Sequence, residues 1–180
     1  MDLKPFIRDI PDFPKRGVLF RDITPLLRDG RALRTCVERL ADHCKGLTID
    51  ALAGIESRGF LFGTALAIQL GLGVIPIRKP GKLPHSVLRE SYELEYGTDS
   101  VEMHADAIHG GQRILLVDDL LATGGTMSAA CRLVQKAGGV VVSTLFVIEL
   151  SYLRGRDRLH PNPVRSLLVY GGEQPENLAP

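Results

Sequence analysis

Two adjacent carboxylates, Asp118 and Asp119, follow the apolar run Ile114 to Val117 and precede a small-residue loop, Ala122-Thr123-Gly124-Gly125-Thr126. These residue types at this spacing suit a phosphorylated sugar. Carboxylates accept hydrogen bonds from sugar hydroxyls. Paired glycines let main-chain N–H groups come close to an anion, because no Cβ intervenes. A helix pattern opening at Thr126 offers its free N–H groups to a phosphate. Thr123 and Thr126 add hydroxyl donors, and Thr126 reads as the N-cap. No Gly-Lys-Ser/Thr follows the glycines and the Gly-x-Gly-x-x-Gly spacing is absent here, which argues against nucleotide-binding loops of those two kinds. Neighbouring carboxylates repel each other, so a partner is expected. Sugar hydroxyls, or a magnesium ion reached through water, would serve.

The elements that must hold these residues can be read from apolar runs alternating with helical patterns. Strands are expected at Ile49 to Gly54, Gly73 to Ile77, Arg113 to Val117, Val140 to Leu150 and Arg165 to Tyr170. Helices are expected from about Gly59 to Leu70, from Thr126 to Ala137 and, shorter, from Tyr152 to Leu159. In the second of these Met127, Ala130, Leu133, Val134 and Ala137 form one apolar face, and Gly138-Gly139 gives the stop. Val87 to Tyr96 and Ser100 to Met103 read as a hairpin or arm. The alternation predicts an α/β fold with a parallel sheet and helices on both faces. Ligands then sit beyond the carboxyl ends of the strands, where the loops after Ala53, Ile77 and Val117 emerge.

Composition bounds the function. A chain of 180 residues, 44% hydrophobic, fits one domain with a full core. The net charge of +1 gives no electrostatic case for nucleic acid. No apolar run is long enough to cross a bilayer, and Met1 to Pro5 lacks the pattern of a secretion signal, so a cytoplasmic protein without a membrane is expected. Three cysteines, Cys36, Cys44 and Cys131, lie in helical patterns without a Cys-x-x-Cys pair and fit a reducing compartment. The five histidines form no i, i+4 pair and no cluster with cysteine, so no protein-held metal is expected.

The stretch Ile114 to Thr126 resembles the phosphoribosyl-diphosphate signature of type I phosphoribosyltransferases. Further segments resemble, in order along nearly the whole chain, the adenine-specific members of that family. Gly17 to Leu27 is similar to their base-binding segment, and Gly54 to Phe60 to their diphosphate loop. Arg78 to Pro84 and Tyr92 to Gly97 are similar to their lid, and Glu149-Leu150 with Leu153-x-Gly155-Arg156 to their C-terminal stretch.

The resemblance implies a type I phosphoribosyltransferase fold: a central, mostly parallel sheet flanked by helices, an N-terminal base-binding hood over residues 1–30 and a flexible lid arm over 82–103, in a single domain spanning 1–180. It implies that adenine and 5-phosphoribosyl 1-diphosphate give AMP and diphosphate, with magnesium carried mainly by substrate and water, in a homodimer. Ala122 to Thr126 would hold the 5-phosphate, with Leu120 beside them at the substrate. Asp118 and Asp119 would hold the ribose hydroxyls. Arg58 and the peptide between Glu56 and Ser57, expected to be cis, would face the diphosphate. Arg78, Lys79 and Lys82 lie within five positions and include no acid; a departing diphosphate needs such cations. Phe20 would offer a ring face to the purine, and the backbone from Leu19 to Arg21 its N–H and C=O groups. Glu95 would handle the purine proton and Tyr96 would shield the reacting carbon. Two alternatives stay open. One is the same chemistry on hypoxanthine, guanine, xanthine or orotate. The other is a regulator of this fold that senses the nucleotide without chemistry.

Overall fold

The apolar runs assemble into one sheet. The computed structural model describes residues 1–93 and 97–172. Strands β3 (Ala51–Ile55), β4 (Gly73–Ile77), β7 (Arg113–Leu121), β8 (Val140–Leu150) and β9 (Val164–Tyr170) pair in the order β4-β3-β7-β8-β9, every pair parallel. Helix α3 (Gly59–Leu70) carries the chain from β3 outward to β4, and α4 (Gly125–Lys136) carries it from β7 the other way to β8. The winding direction therefore reverses between β3 and β7. The loops leaving those two strands diverge there and open the crevice in which ligands of such sheets bind.

Two apolar cores lie on the two faces of the sheet. Successive residues of a strand point to opposite faces, so Leu115 and Val117 join one core while Ile114 and Leu116 join the other. The first core also takes Phe62 and Leu66 of α3 and Cys36 and Leu40 of α2 (Gly30–Cys44). The second takes Met127, Ala130, Leu133 and Val134 of α4, the face expected from its periodicity. Asp29 caps α2 by accepting from the N–H groups of Arg31 and Ala32 at 3.0 and 2.9 Å.

Two small antiparallel sheets flank this frame. Near the N-terminus β1 (Arg8–Ile10) pairs with β2 (Phe20–Asp22), followed by the short α1 (Thr24–Arg28). Leu3, Ile7, Ile23 and Leu26 anchor this segment in the first core. Arg21 lies over Tyr170 at the end of β9, 4.0 Å from the ring centroid, which sets β2 beside the carboxyl end of the sheet. The second small sheet is the hairpin of β5 (Val87–Glu93) and β6 (Thr98–His104), in full antiparallel register. Tyr92, Val101 and Met103 sink into the second core. Glu90 bonds Lys136 of α4 at 3.0 Å and Arg132 at 3.2 Å. The hairpin is thus tied along α4.

Three expectations need correction. The acidic pair lies inside a strand, not after one, because β7 runs on to Leu121 and its pairing with β8 continues to Leu121↔Glu149. Helix α4 starts at Gly125 with Gly124 as N-cap, and no side chain caps it, so Thr126 is a first-turn residue and not the cap. The single short helix expected after Leu150 is a 3₁₀ turn, Ser151–Leu153, and then α5 (Gly155–Leu159), separated by Arg154 at φ 54°.

Candidate active site

The loop after β7 is shaped by the close approach of two glycines. Gly124 has φ +80°, and a Cβ there would stand 2.6 Å from the Gly155 carbonyl oxygen. A Cβ on Gly155 would stand 2.2 Å from the carbonyl oxygen of Ala122. The start of α5 therefore backs the loop after β7 with no room for a side chain. Arg156 fixes that backing, donating to Glu149 at the end of β8 through Nε at 3.0 Å and Nη2 at 2.5 Å. In the helix itself, the Ser128 N–H is bonded to the Gly124 carbonyl at 2.9 Å. The N–H groups of Gly125, Thr126 and Met127 precede that bond, in a first turn that no side chain caps. Such a turn is built to receive an anion.

The acidic pair sits beside this turn under the start of α3. A Cβ on Gly59 would lie 2.8 Å from Asp118 Oδ1, so only glycine lets α3 begin so close to β7. That closeness brings Arg58 within reach of Asp119, with Nε donating to Oδ2 at 2.5 Å. Asp119 is buried, at 6% exposure, and its N–H donates to Asp118 Oδ1 at 2.8 Å. Burial, and after it the neighbouring charge of Asp119, holds the Asp118 carboxyl well above the ordinary carboxylate range.

The peptide between Glu56 and Ser57 is cis, as expected. The Glu56 carboxylate takes cations of the 78–82 segment: Lys82 Nζ at 2.5 Å and Arg78 Nε at 3.3 Å. The Lys79 N–H also donates to it, at 3.1 Å. Desolvation works to raise the Glu56 pKa, but the bonds from Lys82, Lys79 and Arg78 outweigh it and bring the carboxyl down to about 2. Lys79 itself is ion-paired with Asp99 and donates to the Tyr92 hydroxyl at 2.7 Å. The basic cluster, free of acids in sequence, is met by Glu56 just after β3 and by Asp99 of β6.

Two cavities open at the carboxyl end of the sheet. The first, about 340 Å³, is lined by Glu56 to Arg58, Lys79, Asp118 to Met127, Ile55 and Phe146. The second, about 640 Å³ and largely apolar, is lined by Leu19, Phe20 and Arg21 together with Leu150, Tyr152 and Leu153. Arg58, Leu120, Ala122 and Thr123 line both, so the two adjoin. The Phe20 ring meets Phe13 edge-on at a centroid distance of 5.1 Å, and the Arg58 guanidinium carbon lies 5.7 Å from its centroid. Of the residues expected at the site, Arg78 and Lys82 line neither cavity and sit on Glu56 instead. Glu95 and Tyr96 fall outside the described residues.

The phosphoribosyl transferase domain family matches residues 26–170. An adenine phosphoribosyltransferase of Solibacter usitatus is 57% identical over 169 residues, covering 94% of this chain and 98% of its own length. This chain belongs to the adenine phosphoribosyltransferase family. The crystal structure of the family member from Thermoanaerobacter pseudethanolicus superposes with a TM-score of 0.92 at 52% identity, covering 93% of this chain and 98% of that one. The Saccharomyces cerevisiae member, 40% identical with a TM-score of 0.87, covers 92% of this chain and 96% of its own. It was crystallised with adenine and the sugar analogue D-2,5-dideoxy-2,5-imino-altritol 1,6-bisphosphate. The α/β fold of a parallel sheet flanked by helices is that of type I phosphoribosyltransferases.

Sequence reasoning missed several residues of the site in this family member. Tyr152 and Leu153, 43% and 39% exposed, form an apolar wall of the second cavity; Leu153 was named only within the C-terminal stretch, and Tyr152 only as the start of a helix. Asp99 carried no signal, and Tyr92 was named only as the first residue of the lid-like stretch, since their contact with Lys79 depends on the hairpin folding back.

Proposed function

We infer that this chain catalyses phosphoribosyl transfer to adenine, consuming 5-phosphoribosyl 1-diphosphate and forming AMP and diphosphate. The observation that carries this reading is the pair of adjoining cavities with a shared wall from Arg58 to Thr123. One is polar and ends at an uncapped helix turn; the other is apolar and ends at an aromatic ring. A ligand with an anionic sugar at one end and a flat base at the other fits that sequence of surfaces. Adenine and a sugar bisphosphate bound to the yeast relative support it.

In this reading the 5-phosphate rests on the first turn of α4 and the loop Ala122 to Thr126, with Leu120 beside it. Asp118 and Asp119 accept the ribose hydroxyls. Arg58, Lys79 and the Glu56–Ser57 peptide face the diphosphate, where negative charge builds as the bond breaks. The purine lies against Phe20 with its edge on the main chain from Leu19 to Arg21. Strand β2 pairs with β1, and its residues Phe20 and Arg21 line the second cavity, where main-chain N–H and C=O groups can meet a purine edge. A carbonyl facing position 6 favours an amine over an oxo group. Glu95 serves the purine proton, and Tyr96 with the rest of residues 82–103 covers the reaction against water. Residues 1–30 are the hood of a single domain over 1–180.

Magnesium belongs to this reading as the companion of the diphosphate substrate. The oxygens of Asp118 and Asp119 in the polar cavity suit a hard cation held through water and substrate, and it would neutralise the leaving group. A homodimer is supported by exposed apolar side chains: Leu61 and Ile68 of α3 at 49% and 76% exposure, and Val74 of the edge strand at 38%. A cytoplasmic site of action is supported by three free cysteines, all buried. No helix among the described residues is long and apolar enough to cross a membrane. The test is incubation with phosphoribosyl diphosphate, magnesium and each base in turn. Nucleotide from adenine alone is the expected result. Nucleotide from an oxo-purine or orotate instead refutes the base assignment, and none from any base refutes the enzymatic one.

A further inference from the structure

The Glu56 carboxylate forms part of the wall of the polar cavity and holds two cations of the 78–82 segment, Arg78 and Lys82. Four donors converge on it: Arg78 Nε and Nη2 at 3.3 and 3.4 Å, the Lys79 N–H at 3.1 Å and Lys82 Nζ at 2.5 Å. Its side chain is 12% exposed and forms part of the wall of the polar cavity. Arg78 and Lys82 do not line that cavity. A fork of two carboxylate oxygens gripping a guanidinium and an ammonium has the geometry of one phosphoryl group on the same donors. Lys79 differs: its ammonium is directed by Asp99 and Tyr92, and it does line the cavity.

We propose that Glu56 is a resident competitor for diphosphate: it docks Arg78 and Lys82 while the site is open, yields them to the diphosphate, and takes them back as the product leaves. This rests on the reading of the polar cavity as the diphosphate side of the site. Arg78 and Lys82 at full strength would bind the product diphosphate as tightly as the substrate and slow its departure. A carboxylate in the same cavity limits that affinity, because any gain from meeting the ligand is reduced by the ion pairs that must be given up.

The test is calorimetric titration of inorganic diphosphate with magnesium into the wild type, Glu56→Gln, Glu56→Asp, Lys82→Met and the double variant E56Q/K82M. Glu56→Gln should bind diphosphate roughly fivefold more tightly, the equivalent of one partly exposed ion pair of about 1 kcal/mol. Glu56→Asp keeps the net charge, withdraws the carboxylate by one methylene and should also tighten binding, by a smaller factor. Lys82→Met should weaken it, and the gain from Glu56→Gln should shrink in the Lys82→Met background. Weaker or unchanged binding by the folded Glu56 variants overturns the proposal, since Glu56 would then be aiding the cations and not competing for them. A gain of the same size with and without Lys82 also overturns it, as a long-range charge effect. No diphosphate binding by the wild type overturns the reading of the cavity, and the proposal with it.

Discussion

Replacing Asp119 by Asn probes the sugar-binding role proposed for it. The change is isosteric, and the Asn oxygen can still accept from Arg58 Nε where Asp119 Oδ2 accepts at 2.5 Å. What is lost is charge. Hydrogen bonds to an ionised acceptor contribute about 1 kcal/mol more than those to a neutral one, and two ribose hydroxyls are involved. The amide also turns one acceptor into a donor facing a hydroxyl. Together these remove about 2–4 kcal/mol of transition-state binding, or roughly 30- to 1,000-fold in kcat/KM. Stability should hardly move. The Arg58 side chain is 45% exposed, so its ion pair contributes about 1 kcal/mol or less, and removal of a charge beside Asp118 works in the stabilising direction. A Tm within about 4 °C of wild type is expected for a chain of this size. The assay is the initial rate of AMP formation with phosphoribosyl diphosphate varied, alongside a thermal melt. A folded variant within threefold of wild-type kcat/KM refutes the role, and a Tm lowered by more than about 10 °C makes Asp119 a structural residue instead.

Other consequences can be measured independently. Gly155→Ala puts a methyl 2.2 Å from the Ala122 carbonyl oxygen and should push the phosphate loop out of place. AMP affinity is expected to fall about tenfold or more, with about 1–3 kcal/mol of stability lost to overpacking; unchanged AMP binding would contradict the backing role. Asp118 has a raised pKa in the folded protein, so its ionisation opposes folding increasingly as pH rises above its ordinary range. Asp118→Asn should therefore match wild type in Tm near pH 3 and exceed it near pH 8, and a gain confined to acid would show that the sign is wrong. Ile68→Glu places a charge on the exposed apolar face of α3. Light scattering should then report one 19.7 kDa chain where the wild type gives twice that mass, while a wild-type monomer would remove the dimer reading.

The parallel sheet was legible because its strands are buried on both faces and read as continuous apolar runs; Val140 to Leu150 is matched at both ends. Helix α4 was legible through its periodicity, but its start was not. The chain enters it through Gly124 in the left-handed region, packed so closely on Gly155, some thirty residues later, that no side chain fits. Strands β1 and β2 are three residues each, too short to carry a period. The ion pairs of Arg78, Lys79 and Lys82 with Glu56 and Asp99 join segments about 20 residues apart and leave no local pattern. The acidic pair, the glycine loop and Arg58 converge because β3 and β7 are neighbours at the reversal of the winding, which the order of strands along the chain does not reveal.

A crystal structure with AMP bound tests the assignment most directly. The 5-phosphate should accept main-chain N–H bonds from the first turn of α4, the ribose hydroxyls should lie within hydrogen-bond distance of Asp118 and Asp119, and adenine should lie against Phe20. A nucleotide seated with its phosphate away from Thr123 to Thr126, or its ribose out of reach of both acids, would contradict it.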